Sequence, residues 1–307
     1  MNKMNWSSDQ NIKLIYRLLK VRGYGPAQTN RLLWSIRSKV SDAIELERMI
    51  AASLSANNRS AFYEDFDLYR SMKYDVSYMS IMDDTYPTEL LNSLLQNAPS
   101  ILSYIGNVEL LKKKKIGYSG SRKVSEKGLW ITRDSVEQLS DDDVCIVSGY
   151  ASGVDLAAHR KALEHGASTI LVLPEGIKYF TIKKELEDVW DWTRVLVLSE
   201  FFPEDKWMAG RAMKRNQTLI GLSDIMMVIE AGETGGSLDA GLKTIEMQKS
   251  LFVPLYKEIP DSAKGNEVLL RKGAKPLTFN GMTHRTNVSM VQDRMVNRTV
   301  NCLFDLV

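Results

Sequence analysis

Three segments rich in glycine and serine have the composition of loops that bind phosphate. They lie at residues 120–128, 148–155 and 232–238, and each follows a β-rich run and precedes a helical one. Glycine lets backbone N–H groups approach an anion closely, and the N-terminus of the following helix adds partial positive charge. One such loop is common in ordinary tight turns, so the prediction depends on all three occurring together. The residues expected to contact phosphate here are Gly120, Ser121, Arg122, Gly149, Ser152, Gly153, Gly235, Gly236 and Ser237.

A fourth segment supplies positive charge. Residues 207–220 contain three basic side chains and no acidic one, although the whole chain is nearly balanced, with 40 basic and 38 acidic residues. Guanidinium and amide groups both suit phosphate or sugar contacts. The alternative is a solvent-exposed helix face, but the segment directly precedes a predicted strand, on the side where the loops meet. The candidate residues are Arg211, Lys214, Arg215 and Asn216.

No group of residues in the sequence has the spacing of a catalytic or metal site. His159, His165 and His284 form neither a catalytic triad pattern nor a metal-ligand spacing. Residues 149–153 lack the Gly-x-Ser-x-Gly spacing of a nucleophile elbow. We expect His159 and His165 to make surface or interhelical contacts. The sequence therefore predicts a protein with no catalytic residue, no metal and no cofactor.

The phosphate loops are expected to meet because the chain around them alternates between strands and helices. Strands are predicted at 115–119, 144–148, 169–173, 195–199, 225–230 and 251–255, and helices between them at 155–165, 211–222 and 238–247. This alternation predicts an α/β fold with a Rossmann-like, doubly wound, mostly parallel sheet. In such a sheet, ligands bind beyond the carboxyl ends of the strands, where all three loops begin.

The remaining sequence divides the chain into four parts. Residues 1–75 have helical periodicity and predict a small helical domain of the SAM or helix-hairpin-helix type. Its turn at 23–26 either holds a backbone phosphate or is an ordinary helical turn. Residues 76–111 are expected to connect the domains and pack on the sheet, and residues 112–277 to form the Rossmann-like domain. Residues 278–307 are polar and weakly patterned, and are expected to form a C-terminal tail.

Composition narrows the classes of function. The formal net charge is +2, with 44% hydrophobic and 25% charged residues, as in a globular protein. With so small a net charge, any contact with nucleic acid has to be local. Cys145 lies in an apolar run that predicts burial, and neither it nor Cys302 belongs to a metal-spaced cluster. Residues 1–10 lack a signal-peptide pattern and no stretch is apolar enough to span a bilayer, so we expect a cytoplasmic protein without membrane contact.

An ordered series of motifs resembles the DNA-processing protein A (DprA/Smf) family. The motifs are Asp-Asp-Thr-Tyr-Pro-Thr-Glu-Leu at 83–90, Gly-Asn at 106–107, Gly-Ser-Arg and Ser-x-x-Gly within 120–128, Ser-Gly-x-Ala-x-Gly-Val-Asp at 148–155, Ser-Glu-Phe-Phe-Pro at 199–203, Lys-Arg-Asn at 214–216, Val-Ile-Glu-Ala at 228–231, Gly-Ser-Leu at 236–238 and Lys-Gly-Asn at 264–266. The resemblance implies that residues 112–277 form a nucleic-acid-binding domain. It also implies binding to single-stranded DNA, loading of a RecA-type recombinase, a homodimer, and no bond chemistry.

The chain departs from the family pattern at positions that bear on anion binding. Gln217 stands where the family usually has arginine, so one cation is missing. Asp239 stands in the loop after the fifth strand and would weaken anion binding if it faced the phosphate loops. The sequence is therefore identified as a diverged member of the family.

Two other functions on the same fold remain open at this point. Nucleoside-monophosphate phosphoribohydrolases resemble this chain but carry a catalytic glutamate where Ala240 stands, with Asp239 one position earlier. The missing carboxylate counts against a hydrolase. A nucleotide sensor in a stress or phage-defence system would use the same loops without turnover. Salt-dependent oligonucleotide binding favours the DNA-binding interpretation, whereas hydrolysis or tight binding of a mononucleotide favours the other two.

The helix predicted at 238–247 carries more apolar side chains than one sheet-facing stripe requires. The additional ones are Leu242, Ile245 and Met247. Leucine and methionine adapt well to contact surfaces. The helix is therefore expected either to contribute to the homodimer interface or to be covered by the C-terminal tail.

Overall fold

The protein folds into two compact units in a computed structural model that describes residues 4–64, 67–69, 71–140 and 144–304, with the backbone alone for 297–304. The first unit comprises Met1–Ile105, Glu175–Phe180 and Leu198–Trp207, and the second comprises Gly106–Pro174, Thr181–Val197 and Met208–Val307. The three predicted phosphate loops and the basic segment from Met208 onward all belong to the second unit. The fold of that unit therefore decides whether the candidate residues meet.

The first unit is mainly helical, as the periodicity predicts. Its helices are α1 Asp9–Lys20, α2 Pro26–Ile36, α3 Ala43–Ser53, α4 Ala56–Phe62 and α5 Thr88–Leu94, and its strands are β1 Ser77–Ser80 and β2 Ile101–Gly106. The two strands pair antiparallel. Ile12, Ile15 and Leu18 of α1 are fully buried at helical spacing. Gly23 has a positive φ in the turn before α2, so the predicted helix–turn–helix is confirmed, while its phosphate role stays a prediction.

The second unit alternates strands and helices. Its elements are β3 Lys114–Ser119, α6 Glu126–Ser140, β4 Val144–Ser148, α7 Val154–Glu164, β5 Ser168–Val172, β6 Val195–Ser199, α8 Ala209–Leu222, β7 Ile225–Val228, α9 Gly236–Glu246, β8 Ser250–Pro254, α10 Asn266–Arg271, β9 Lys275–Asn280, β10 Arg285–Asn287 and α11 Ser289–Phe304. Each predicted strand and helix of the Rossmann-like domain is present, with bounds that differ by no more than two residues. Within the described residues, no helix is both long and apolar enough to cross a membrane.

The strands of the second unit lie in the order β6-β5-β4-β3-β7-β8-β9-β10. The pairs β3–β4, β4–β5, β3–β7, β7–β8 and β8–β9 are parallel, and β9–β10 is antiparallel. The chain runs outward from β3 through β4, β5 and β6, then returns to place β7 on the other side of β3. The strand order thus reverses between β3 and β7, which is the arrangement of a doubly wound sheet. The predicted fold class is confirmed.

Helices cover the sheet of the second unit in pairs. Helix α6 packs against α7, and α8 packs against α9. The residues of β4, β5 and β6 are buried throughout, because both faces of these strands are covered. The continuous apolar runs in the sequence reflect this two-sided burial, and they explain why these strands could be predicted closely. Cys145 is one of these buried residues, as expected.

The residues after 277 contain more regular structure than the polar pattern indicates. Strands β9 and β10 form a hairpin with Thr286 opposite Phe279, and α11 follows. The hairpin is fixed to α6 by side chains, since Arg285 Nε donates to Asp134 Oδ1 at 2.7 Å and the N–H of Thr286 donates to Asp134 Oδ2 at 2.6 Å. These partners lie about 150 residues away in sequence, so no local pattern predicts the hairpin.

Candidate phosphate-binding site

A cavity of about 330 Å³ lies in the second unit, next to the residues that follow β3, β4 and β7. It occupies the point where the strand order reverses, which is where doubly wound sheets bind their ligands. Its lining residues are Ser119, Gly120, Ser121, Arg122, Ala151, Asp155, Ala212, Met213, Arg215, Asn216, Gly232, Thr234, Gly236, Ser237 and Ser262. Residues from all three predicted loops and from the basic segment are therefore brought together.

The first loop is held against the start of α7 by a close backbone contact. The N–H of Val154 donates to the carbonyl oxygen of Ser121 at 3.4 Å. Gly153 precedes Val154 with φ +78°, and a Cβ atom at this position would collide with the same carbonyl oxygen. Ser121 Oγ also accepts from the N–H of Lys123 at 3.1 Å, which fixes the turn itself. Glycine at 153 is thus required by the contact between two loops, independently of any ligand.

The second loop is anchored by a buried histidine, which corrects one expectation from the sequence. His159 is fully buried, and its Nε2 lies 2.6 Å from the carbonyl oxygen of Gly149. The carbonyl can only accept, so Nε2 carries the proton, and Nδ1 lies 2.6 Å from Thr169 Oγ1. Burial lowers the pKa of His159 to about 4. The prediction that His159 makes a surface or interhelical contact is wrong. The same prediction is confirmed for His165, whose Nε2 lies 3.2 Å from a carboxylate oxygen of Glu137 on the neighbouring helix.

One wall of the cavity combines a buried carboxylate with a buried guanidinium. Asp155 lies in the first turn of α7, where its Oδ2 accepts from the N–H of Ala151 at 3.3 Å. Arg215 of α8 donates to the carbonyl oxygen of Val172. Burial raises the pKa of Asp155, and the positive charge of Arg215 opposes the rise. Arg215 is therefore a fixed part of the wall as well as a source of positive potential.

The third loop opens α9 toward the cavity. Gly235 is the N-cap of α9 and supplies no side-chain acceptor to the first turn. The N–H groups of that turn are the part of a helix that binds anions. Asn216 Nδ2 donates to the carbonyl oxygen of Gly236 at 3.2 Å, and this ties the loop to α8. Asn266 Oδ1 accepts from the N–H of Ala231 at 2.8 Å, which fixes the beginning of the loop.

A buried carboxylate at the end of β7 joins several segments around the cavity. Glu230 is fully buried and accepts hydrogen bonds from the N–H of Ser125 at 2.9 Å and from its hydroxyl. It also accepts from Ser262 Oγ at 2.6 Å and from the hydroxyl of Tyr256 at 3.1 Å. Burial and the carboxylate together raise the pKa of Tyr256. Glu230 stands in a predicted strand and in a family motif, but nothing local identifies it as the centre of this network.

The structure separates the predicted site residues into two groups. Those that line the cavity are Gly120, Ser121, Arg122, Arg215, Asn216, Gly236 and Ser237. Those that do not are Gly149, Ser152, Gly153, Arg211, Lys214 and Gly235. Members of the second group lie within two residues of a lining residue in sequence. A binding role for each of the thirteen residues stays a prediction.

Some lining residues were not singled out in the sequence. They are Ser119, Ala151, Asp155, Ala212, Met213, Gly232, Thr234 and Ser262. Most adjoin a residue that was chosen, and Asp155 could have been found as the acidic residue that ends the motif at 148–155. Ser262 is different, because it lies in a short 3₁₀ turn after β8 and is held at the cavity by its hydrogen bond to Glu230. No spacing in the sequence connects it with the glycine loops.

Asp239 does not line the cavity, so it does not weaken anion binding in the way that the sequence suggested. Its Oδ2 pairs with Lys243 Nζ at 3.0 Å on the same helix, and it is absent from the described residues that line the cavity. Ala240 is buried and brings no carboxylate to the position of the hydrolase glutamate. Within the described part of the chain, no three His, Cys, Asp or Glu residues are grouped so that they could hold a metal ion.

Comparison with known proteins decides the family. The family model "DNA recombination-mediator protein A" matches residues 77–286, which is more than half of the chain. The chain belongs to this family. A relative of this chain, the DNA processing protein DprA of Streptococcus pneumoniae, is 35% identical over 201 residues, which cover 65% of this chain and 70% of the relative. The resemblance seen in the motifs is confirmed.

Solved structures of DprA proteins share the fold of this family member. The X-ray structure of DprA from Streptococcus pneumoniae covers 88% of the chain and 94% of its own, with a TM-score of 0.69 and 27% identity. A DprA structure from Helicobacter pylori, described for its single-stranded DNA binding mode, covers 75% of the chain and 98% of its own, with a TM-score of 0.59 and 23% identity. The family is named for mediation and processing, which agrees with the expectation of a protein that is not an enzyme.

The contact between the first two loops predicts unequal effects of two glycine substitutions. Gly153→Ala and Gly235→Ala both place a side chain at positive φ, which costs about 1–3 kcal/mol of backbone strain. An added Cβ at 235 meets no described atom within 4 Å, whereas at 153 it collides with backbone. We expect Gly153→Ala to lower the free energy of unfolding by more than Gly235→Ala, as measured by urea denaturation. Equal losses would show that the loop contact is not tight.

Burial of neutral His159 predicts loss of stability in mild acid. The imidazole has a pKa of about 4 when folded and 6.5 when unfolded, so below about pH 6.5 the unfolded chain takes up a proton that the folded chain excludes. We expect the unfolding free energy to fall by about 2 kcal/mol between about pH 7 and pH 5 from this group. Urea denaturation of His159→Gln should show a smaller fall. Identical pH dependence in the two proteins would contradict the assignment.

Proposed function

We propose that the protein binds single-stranded DNA by its sugar-phosphate backbone at the second unit's cavity and takes part in DNA processing without making or breaking bonds. The observation that carries this proposal is the meeting of three glycine loops, Arg122 and the uncapped start of α9 around one cavity. Backbone N–H groups and a guanidinium suit phosphate oxygens. Membership of a recombination-mediator family supports DNA as the source of these phosphates.

The chemistry of the lining favours contacts that do not depend on base sequence. Among the described residues that line the cavity, none is aromatic, and the side chains are mainly small or hydroxylated. Such a surface can hold phosphate and sugar but offers no ring for a base to stack on. Phosphate contacts position a strand without reading its sequence. A mononucleotide sensor would need contacts to the base, which this lining does not favour.

The proposal extends to partners that the family suggests. A recombination mediator acts beside a recombinase, so we include a RecA-type recombinase as a partner and the cytoplasm as the location. We also include a homodimer, because Leu242 and Ile245 of α9 and Met247 directly after it remain partly exposed in the single chain. A dimer would let one strand contact two cavities, and the second contact would form at high effective concentration.

Binding to single strands is expected to depend steeply on salt. Each phosphate contact releases condensed counterions, so affinity for a labelled oligothymidylate should fall sharply between about 50 and 200 mM salt. Arg122→Ala should weaken binding about 10-fold at low salt and reduce the logarithmic salt slope by about 0.7. Fluorescence anisotropy measures both quantities.

The matched control for this experiment is Arg271→Ala. It removes the same charge from an exposed position at the C-terminal end of α10 that does not line the cavity. We expect wild-type affinity for this variant. If wild-type protein fails to bind single strands at low salt, or binds AMP or GMP tightly instead, the proposed function is wrong. If both variants lose affinity equally, the contact lies outside the cavity.

Self-association is expected to involve the partly exposed apolar side chains of α9. Leu242→Glu together with Ile245→Glu places charge on that surface and should convert a dimer to a monomer, as measured by light scattering over a micromolar concentration series. The control is Val296→Glu on α11, which changes an exposed apolar residue elsewhere in the same unit. A wild-type monomer throughout the series would contradict the dimer.

A further inference from the structure

An exposed cluster of aromatic rings lies on the second unit outside the cavity. Trp130 of α6 is 40% exposed and Phe279 of β9 is 56% exposed, and their ring centroids lie 6.0 Å apart. His284, in the turn of the β9–β10 hairpin, lies 6.1 Å from Phe279. We call Trp130, Phe279 and His284 the aromatic platform. Large aromatic rings are normally buried, so adjoining rings left in water mark a contact surface.

The aromatic platform lies at the same edge of the sheet as the cavity. Strand β8 ends at Pro254, which pairs with Leu277, so Phe279 extends beyond the carboxyl end of its parallel neighbour. Trp130 lies close to the start of α6, five residues after Ser125. This separation in sequence corresponds to about 8 Å along the helix axis. The first phosphate loop leads directly into this helix. The platform and the cavity can therefore be reached by one extended strand.

A continuous set of contacts connects the platform with the cavity wall. Ser262 lines the cavity and donates to Glu230, which also accepts from the hydroxyl of Tyr256. The Nζ of Lys127 lies 5.5 Å from the centre of the Tyr256 ring. Trp130 follows Lys127 by three residues and therefore lies on the same side of α6. The path from cavity to platform thus passes a positive charge, which suits a phosphate between the two.

The rings are held in place by the attachment of the hairpin to α6. Arg285 contacts Asp134 at 2.7 Å and Glu137 at 2.9 Å, and Gln138 donates to the carbonyl oxygen of Thr286 at 2.9 Å. These bonds fix the strand that carries Phe279 relative to the helix that carries Trp130. A surface arranged before binding loses little conformational entropy when a ligand stacks on it.

We propose that the aromatic platform stacks the bases of the same DNA strand whose phosphates bind in the cavity. This inference rests on the proposed function and deepens it. The cavity holds sugar and phosphate, and the platform provides the π faces that its lining lacks. Stacking on tryptophan, phenylalanine and histidine tolerates any base, so the whole surface binds single strands with little dependence on sequence. Duplex DNA keeps its bases stacked internally and gains nothing from the platform.

The test compares two oligonucleotides of equal length and charge. One is an oligothymidylate, and the other has the same backbone with abasic sites in place of the bases. We expect Trp130→Ala and Phe279→Ala each to weaken oligothymidylate binding about 5- to 30-fold and to leave binding of the abasic strand within about 2-fold. Trp130→Phe should retain most of the affinity, because it keeps a ring. Trp34→Ala, at a 37% exposed position in the first unit, is the matched control and should have no effect.

The outcomes separate this inference from the proposed function. If Arg122→Ala weakens binding of both strands and Trp130→Ala weakens neither, the cavity binds DNA and the platform is refuted alone. If wild-type protein binds neither strand, both proposals fail. Equal losses on the two strands, or a loss that accompanies a change in molecular mass by light scattering, would show that the rings contact something other than bases. Thermal unfolding of each variant confirms that the exposed substitutions leave the fold intact.

Discussion

The buried carboxylate of Glu230 is the interaction on which the ligand edge of the second unit depends. A buried carboxyl group without partners would be strongly unfavourable, and here four donor groups surround it. Those donors come from the start of α6, from the second residue after β8 and from the turn before α10. One side chain therefore positions a loop, a helix and an aromatic residue at once.

Sequence patterns were informative wherever the controlling interaction is local. Strands such as β5 are buried on both faces, so their unbroken apolar runs define them closely. The glycine loops were recognisable because a strand-to-helix turn imposes its own backbone requirement. His159 and Ser262 were missed for the opposite reason, since their partners are brought to them by the fold. The β9–β10 hairpin was missed likewise, because Asp134 and Glu137 stabilise it from far along the chain.

A residue that departs from the family pattern is compensated by a neighbour on the same helix. Asp239 adds negative charge near the start of α9, but Lys243 one turn later pairs with it. A carboxylate in the first turn also interacts favourably with the helix dipole. The positive character of the cavity then depends on Arg122 and Arg215 together with backbone N–H groups. Under the proposed function, fewer cations imply weaker long-range attraction of DNA and a larger share of affinity from short-range contacts.

The way the sheet ends has a consequence for how copies of the protein can meet. An exposed strand at the edge of a sheet presents a row of backbone groups that can pair with another molecule. Strand β10 forms such an edge but has only three residues. Here Asp134 accepts from the N–H of Thr286 and Gln138 donates to its carbonyl, so side chains of α6 occupy the outward-facing groups of the strand. The sheet is closed to growth by strand addition at this edge, and open-ended polymerisation through it is suppressed.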